Sequence, residues 1–278
     1  MKVCVFGASG YLGSAVYQLA KNDPEMDVSG TYLEDPGELT DLHKLDVNEP
    51  ESFSGFYKTM QPDVVVWSVM SGSYEDELIN EGLFHLLTHL TPETKLVYLS
   101  TDFVFTDGNG PYTEADPTGK LPDEHVWSTY ANAKVKAERL ITKELTNYAI
   151  LRAGPIYGKN SLGKRDERTE EMIAALERGK TAAYRDDLIR TFVHVEDLAD
   201  AVKTFISNDR KGIYHTGPKQ KASYYTFMYK MAEQLGYNTG LLEKASETEL
   251  PDEEVPKNTA LTTEKIAKET NLHFRTMN

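Results

Sequence analysis

Short, unbroken apolar runs alternate with longer amphipathic stretches along the first two-thirds of the chain. Lys2-Val3-Cys4-Val5-Phe6, Asp27-Val28-Ser29-Gly30-Thr31-Tyr32, Pro62-Asp63-Val64-Val65-Val66-Trp67-Ser68, Lys95-Leu96-Val97-Tyr98-Leu99-Ser100 and Tyr148-Ala149-Ile150-Leu151-Arg152 read as strands. The β-branched runs lack polar alternation, as expected of parallel strands buried on both faces. Ser14 to Ala20, Asp76 to Leu90 and Trp127 to Thr146 read as helices, and Thr106 to Asp123 as a long loop rich in Asp, Gly and Pro. Strict alternation of this kind predicts an α/β fold, a doubly wound parallel sheet with helices on both faces.

The pattern changes after Arg152. A loop and a helix near Thr169 to Arg178 precede a short strand, Thr191 to Val195, and a helix, Leu198 to Ile206, opened by Glu196-Asp197. Gly212 to Gly217 reads as a strand, Thr226 to Leu235 and Thr262 to Thr270 as helices, and the Glu-rich Glu243 to Glu254 as an exposed loop. The expected division is 1–152 with about 189–216 as one domain, and about 153–188 with 217–278 as a smaller, interleaved lobe.

Composition narrows the partners. The chain has 278 residues, 40% hydrophobic, with a formal net charge of −14. Such a surface argues against general nucleic-acid or membrane-surface binding, yet leaves room for an anionic small molecule in a local basic pocket. The one cysteine, Cys4, falls within a strand and fits a reducing compartment. No apolar run approaches the roughly 18 residues of a membrane span, and no signal peptide is recognisable. A cytoplasmic protein is expected. The seven histidines form no ligand-spaced cluster, so no metal is expected.

The chemistry begins at Gly7-Ala8-Ser9-Gly10-Tyr11-Leu12-Gly13, between the first strand and the first helix. Glycines there let the backbone turn tightly against a pyrophosphate, and the helix N-terminus offers free N–H groups to it. The spacing is G-x-x-G-x-x-G. Thr101 and Asp102 follow the strand ending at Ser100, at the carboxyl edge where open α/β sheets bind ligands. Tyr130 and Lys134, four apart on a helix, share one face. An ammonium beside a phenol favours phenolate, which would lower a pKa ordinarily near 10 and suit Tyr130 to acid–base work. A second Y-x-x-x-K, Tyr17 to Lys21, has no polar strand end before it and reads as structural. On spacing alone, Thr101 serves equally as a strand-end hydroxyl and Asn80 as a helix-surface amide.

Together these motifs resemble the extended short-chain dehydrogenase/reductase superfamily. Leu151-Arg152-Ala153-Gly154-Pro155-Ile156-Tyr157-Gly158, Arg190-Thr191-Phe192-Val193-His194-Val195-Glu196-Asp197-Leu198-Ala199 and Gly212 to Gly217 add to the likeness. Ser100-Thr101-Asp102-Phe103-Val104-Phe105 and the tail Val255-Pro256-Lys257-Asn258-Thr259-Ala260-Leu261 look most like the dTDP-4-dehydrorhamnose reductase branch. The resemblance implies a Rossmann-type sheet and an NAD(P)-dependent reductase of a nucleotide-linked 4-keto sugar. It places the cofactor on Gly7, Ser9, Gly10, Tyr11, Leu12, Gly13, Asp46, Val47, Ser68, Tyr130, Lys134 and Pro155. It makes Tyr130 the proton donor, Thr101 its partner on the carbonyl oxygen, Lys134 the holder of the nicotinamide ribose, and Asn80 the residue that positions the lysine. Thr101, Asp102, Arg152, Tyr157 and Arg190 fall to the substrate side, and the locally basic loop Lys159 to Arg168 is either a diphosphate contact or a solvated loop.

Phe103 stands where related 4,6-dehydratases carry a glutamate, which makes dehydration unexpected. An NAD-dependent epimerase and a non-enzymatic NAD(P)-binding regulatory subunit are the alternatives, and related proteins often form homodimers. Two departures bear on the substrate: bulky Trp67 and Met70 beside the cofactor segment, and an apparent insertion, Lys120 to Val126. No Lys or Arg occurs between Val28 and Glu38, while Glu34 and Asp35 follow the second strand. Between NAD and NADP, that acidic pair points to NAD.

Overall fold

The computed structural model describes residues 1–245 and 255–277. The first half runs β1 (Lys2–Phe6), α1 (Tyr11–Lys21), β2 (Asp27–Tyr32), β3 (His43–Lys44), α2 (Pro50–Met60), β4 (Val64–Trp67), α3 (Glu75–Leu78), α4 (Phe84–His89), β5 (Lys95–Thr101), α5 (Ser128–Glu144) and β6 (Tyr148–Ala153). The second runs β7 (Ile156–Tyr157), α6 (Glu167–Glu177), β8 (Ala182–Arg185), β9 (Ile189–Arg190), β10 (Val193–His194), α7 (Val195–Ser207), β11 (Gly212–Thr216), β12 (Ala222–Ser223), α8 (Tyr224–Gln234), β13 (Leu242–Ala245) and α9 (Glu264–Glu269). One sheet has the order β11-β6-β5-β4-β1-β2-β3, with every pairing parallel. The order reverses at β1, which creates the crevice where such sheets take ligands.

Alternation within the strands explains the two faces. Val3, Val5, Val64, Val66 and Val97 point into a core closed by α1 and α7. Cys4, Phe6, Val65, Trp67, Leu96 and Tyr98 point the other way, against α2, α4 and α5. Both faces are covered, so β1, β4 and β5 alternate between two apolar cores and carry polar residues only at their ends. A third cluster, with Phe192 stacked on Phe227 at 3.8 Å, joins α6, α8 and the parallel pair β8–β13.

Several elements differ from the expectation. The apolar pattern does not predict α2, whose polar length carries only Phe53 and Tyr57 as buried residues. The helix expected over Asp76 to Leu90 contains a π-helical turn, Ile79–Leu83, between α3 and α4. The strand expected over Thr191 to Val195 shrinks to Val193–His194, and Val195 opens α7. Glu243 to Ala245 lies in β13, and the rest of the expected Glu-rich loop, 246–254, lies outside the described residues. The long loop 106–123 is pinned by the C-terminal tail, through Gly110 N–H to Asn258 O (3.0 Å) and Tyr112 N–H to Ala260 O (2.8 Å). No helix among the described residues is long and apolar enough to cross a membrane.

Candidate active site

The glycine turn is a backbone construction. Gly7 has φ +80°, a conformation that L side chains rarely adopt. At Gly13 a β-carbon would lie 2.0 Å from the Gly7 carbonyl oxygen, so only glycine lets α1 sit this close to the end of β1. Gly10 caps α1 without a side-chain hydrogen bond, and no acidic residue occupies the first turn. The helix N-terminus is thus open to an anion. Ser68 donates to the Phe6 carbonyl (2.7 Å) and closes the floor. Trp67, for all its bulk, is fully buried and stacks on Phe6, while Met70 points to solvent, so neither fills the crevice. After β3, Asp46 accepts from Asn48 N–H (2.9 Å) and Val47 is buried against Gly82.

Across the crevice, β5 ends at Thr101 and α5 begins at Ser128, which brings Thr101, Tyr130 and Lys134 together. Tyr130 is half-buried. Burial raises its phenol above the ordinary value, the Thr101 hydroxyl beside it acts the other way, and the Glu75 and Asp102 carboxylates push it up further. This reverses the expected effect of Lys134. The lysine is buried, 5.7 Å from the centre of the Tyr130 ring and 5.2 Å from that of Tyr98. Its charge is already met by Glu75, fully buried and 2.7 Å away, whose other oxygen accepts from Ser71 N–H (2.8 Å). The phenol therefore stays protonated at neutral pH, a state suited to giving a proton rather than taking one.

Asn80 does not meet Lys134. It hydrogen-bonds Asp76 (2.8 Å) and Lys136 on the surface, and Glu75 takes the position next to the lysine. Asn80 is exposed, while its neighbours Leu78, Ile79, Gly82 and Leu83 are buried.

The two arginines expected on the substrate side are both buried and held by protein partners. Arg152 is buried in a two-oxygen pair with Glu138 (2.6 Å at its closest), which also accepts from Ser100 (2.5 Å). Its other face packs on Phe105 and reaches His215 Nε2 at 3.4 Å. Arg190 is 1% exposed and donates to the carbonyls of Ile189, Pro256 and Lys257. Its Nε lies 3.7 Å from Asp102, whose carboxylate also accepts from Thr259. Tyr157 is a core residue, edge-on to Phe227 and His194. The loop 159–168 lies over the glycine turn: Asn160 donates to Tyr11 O (2.9 Å), Tyr11 OH to Gly158 O (2.5 Å), and Lys164 to Ser9 O (3.0 Å). Pro155, at the base of that loop, accepts from Val193 N–H (3.1 Å). The Lys120–Val126 segment is tied to α5 by Leu121 and Asn132 (2.9 and 3.0 Å), and Trp127 packs on Phe103 at the rim. Tyr17 and Lys21 bond each other at the far end of α1, with Lys21 paired to Asp41.

Glu75, Glu138 and Thr259 are thus site-supporting residues absent from the sequence expectation. For Glu75 a signal existed. The buried positions Leu78, Ile79, Gly82, Leu83 and Leu86 form a stripe that, extended back by one turn, includes Glu75.

The RmlD substrate binding domain family model matches residues 1–278. The chain belongs to this family. Its sequence is 27% identical to the spore coat polysaccharide biosynthesis protein SpsK of Bacillus subtilis over 257 residues, 88% of this chain and 83% of that protein. It is 25% identical over 251 residues to methionine adenosyltransferase 2 subunit beta of Danio rerio, 84% of this chain and 73% of that protein. In fold it is similar to the dTDP-4-dehydrorhamnose reductase of Bacillus anthracis solved in complex with NADP, with TM-score 0.80, 19% identity, and coverage of 99% of this chain and 95% of that one. The RmlD-family fold accounts for the position of the glycine turn opposite the Tyr130 helix.

Proposed function

We propose that this protein is an NAD(P)-dependent reductase of a nucleotide-linked 4-keto sugar, with Tyr130 as the proton donor. The observation that carries the reading is a half-buried phenol, its pKa raised above the ordinary value by burial, beside the Thr101 hydroxyl and across one sheet edge from an anion-ready glycine turn. Gly7, Gly10 and Gly13 fit a dinucleotide pyrophosphate, because a β-carbon at Gly7 or Gly13 would meet backbone, and Ser68 and Lys134 line the route toward Tyr130. The bound cofactor supplies the hydride. Thr101 and Tyr130 hold the carbonyl oxygen by two hydrogen bonds, which strengthen as negative charge develops there. Tyr130 then gives its proton to that oxygen. Lys134, held by Glu75, keeps the nicotinamide ribose side of the crevice in place.

The test is titration of the purified protein with NADH and NADPH, followed by a panel of nucleotide 4-keto sugars with absorbance at the reduced nicotinamide band. Binding followed by oxidation of the cofactor supports the reading; binding without turnover on any sugar refutes the reductase assignment. The likeness to methionine adenosyltransferase 2 subunit beta motivates a second reading, a dinucleotide-binding regulatory subunit. In that case Tyr130→Phe would leave the effect on the partner unchanged.

A further inference from the structure

The segment from Gly158 to Lys164 is a built element laid across the glycine turn. Asn160, 4% exposed, donates to Tyr11 O and to Ser14 Oγ (3.1 Å), and its side-chain oxygen accepts from Leu162 and Lys164 N–H (3.1 and 2.9 Å). This fixes where the Lys164 side chain starts. Its ammonium reaches Ser9 O in the turn after β1 and lies 3.4 Å from the position a β-carbon would take at Gly37, in the loop after β2. Those two loops flank the place where a dinucleotide on this type of sheet lays its adenosine ribose.

We propose that Lys164 selects the phosphorylated dinucleotide by holding the adenosine 2′-phosphate of NADP(H). This rests on the dinucleotide-binding reading above. Three further observations support it. The ammonium's partner is a carbonyl oxygen, so its charge is not neutralised and a phosphate is a better partner. The nearby basic residues of the loop are engaged elsewhere: Arg165 with Glu170, Arg168 with Ile156 O, and Lys159 folded over Gly163. Of the acidic pair after β2, Asp35 already commits one carboxylate oxygen to closing its own turn through Gly37 N–H (2.8 Å). The basic residue missing between Val28 and Glu38 thus arrives from a loop far along the chain. The acidic pair after β2, which pointed to NAD, does not decide the choice.

The experiment measures dissociation constants of NADPH and NADH, and of 2′,5′-ADP and 5′-AMP as probes that differ only by the 2′-phosphate, for the full-length protein and for Lys164→Ala and Lys164→Arg. The expected result is a preference of at least about tenfold for the phosphorylated member of each pair, about 1.4 kcal/mol. Lys164→Ala should erase it by weakening only that member, and Lys164→Arg should retain it. A wild-type preference for NADH overturns the proposal. So does an equal weakening of both members by Lys164→Ala, which would place the ammonium on the diphosphate or in a purely loop-holding role. If the wild-type protein binds neither dinucleotide, the reading of the glycine turn itself fails.

Discussion

The two walls of the crevice are made of different material. The glycine-turn wall is backbone: its shape depends on what is missing at Gly7 and Gly13, and its charge on N–H groups that α1 leaves open. The Tyr130 wall is side chain: a phenol, a hydroxyl and an ammonium, each fixed by a buried partner, with Glu75 on Lys134 and Asp102 beside Thr101. The first wall is sensitive to size. The second is sensitive to charge, because a buried charge that loses its partner is strongly destabilising.

That contrast can be broken most severely at Tyr130. Tyr130→Phe should lower turnover by about 10²–10⁴, the usual worth of a positioned acid, while NADPH binding changes little. Turnover at the wild-type rate would remove Tyr130 from the chemistry. Arg152→Ala should cost about 3–5 kcal/mol in a denaturant melt, because it leaves Glu138 buried and unpaired. A loss below about 1 kcal/mol would mean that the pair does not anchor α5. On the backbone wall, Gly13→Ala forces a β-carbon into the Gly7 carbonyl and should cost about 1–3 kcal/mol along with weakened dinucleotide binding.

Two smaller effects sharpen the side-chain wall through pH. Glu75→Gln removes a negative charge beside Tyr130 and leaves Lys134 unneutralised, so the phenol should ionise at lower pH. The alkaline limb of the reduction profile should then move down in pH; a profile that only drops in height would mark Glu75 as purely structural. His215 is held neutral, its pKa lowered to about 3 by burial and by Arg152. The depressed folded-state value means that stability is complete above the ordinary histidine value of 6.5 and is lost as pH falls toward about 3, at about 1.4 kcal/mol per unit. His215→Asn should flatten that limb in melts at pH 6.5 and 4. The smallest effect is expected at Asn80→Ala, whose surface bonds to Asp76 and Lys136 predict a change within about 0.5 kcal/mol and no change in the pH profile.

The central strands of the sheet were legible because they are buried on both faces, and such runs need no partner to be recognised; the exposed two-residue edge strand β3 left no such run. The glycine turn was legible for the same reason: a local backbone requirement leaves a local residue signature. Side-chain partnerships do not. Glu75 sits in Glu75-Asp76-Glu77, and only the apolar stripe that follows, extended back by one turn, separates the buried carboxylate from its exposed neighbours; nothing in the pattern names Lys134 as its partner. Arg152 and Arg190 read as candidate anion contacts because an arginine in a motif carries no sign of what already holds it, Glu138 in the one case and three main-chain carbonyls in the other. Asn80 falls beside the buried stripe of Leu78, Ile79, Gly82 and Leu83, so the apolar pattern carries its exposure although the motif does not.

The Arg152–Glu138 pair has a consequence on another timescale. It joins β6 to the helix that carries Tyr130 and Lys134, and Ser100 of β5 leans on the same carboxylate. Neither residue can change alone without stranding a charge in the core. Positions 138 and 152 should therefore drift together through descent, as an acid–base pair or as two apolar residues of matching volume. A lineage in which only one has changed should show its compensation nearby, with Ser100 and His215 the first places to look.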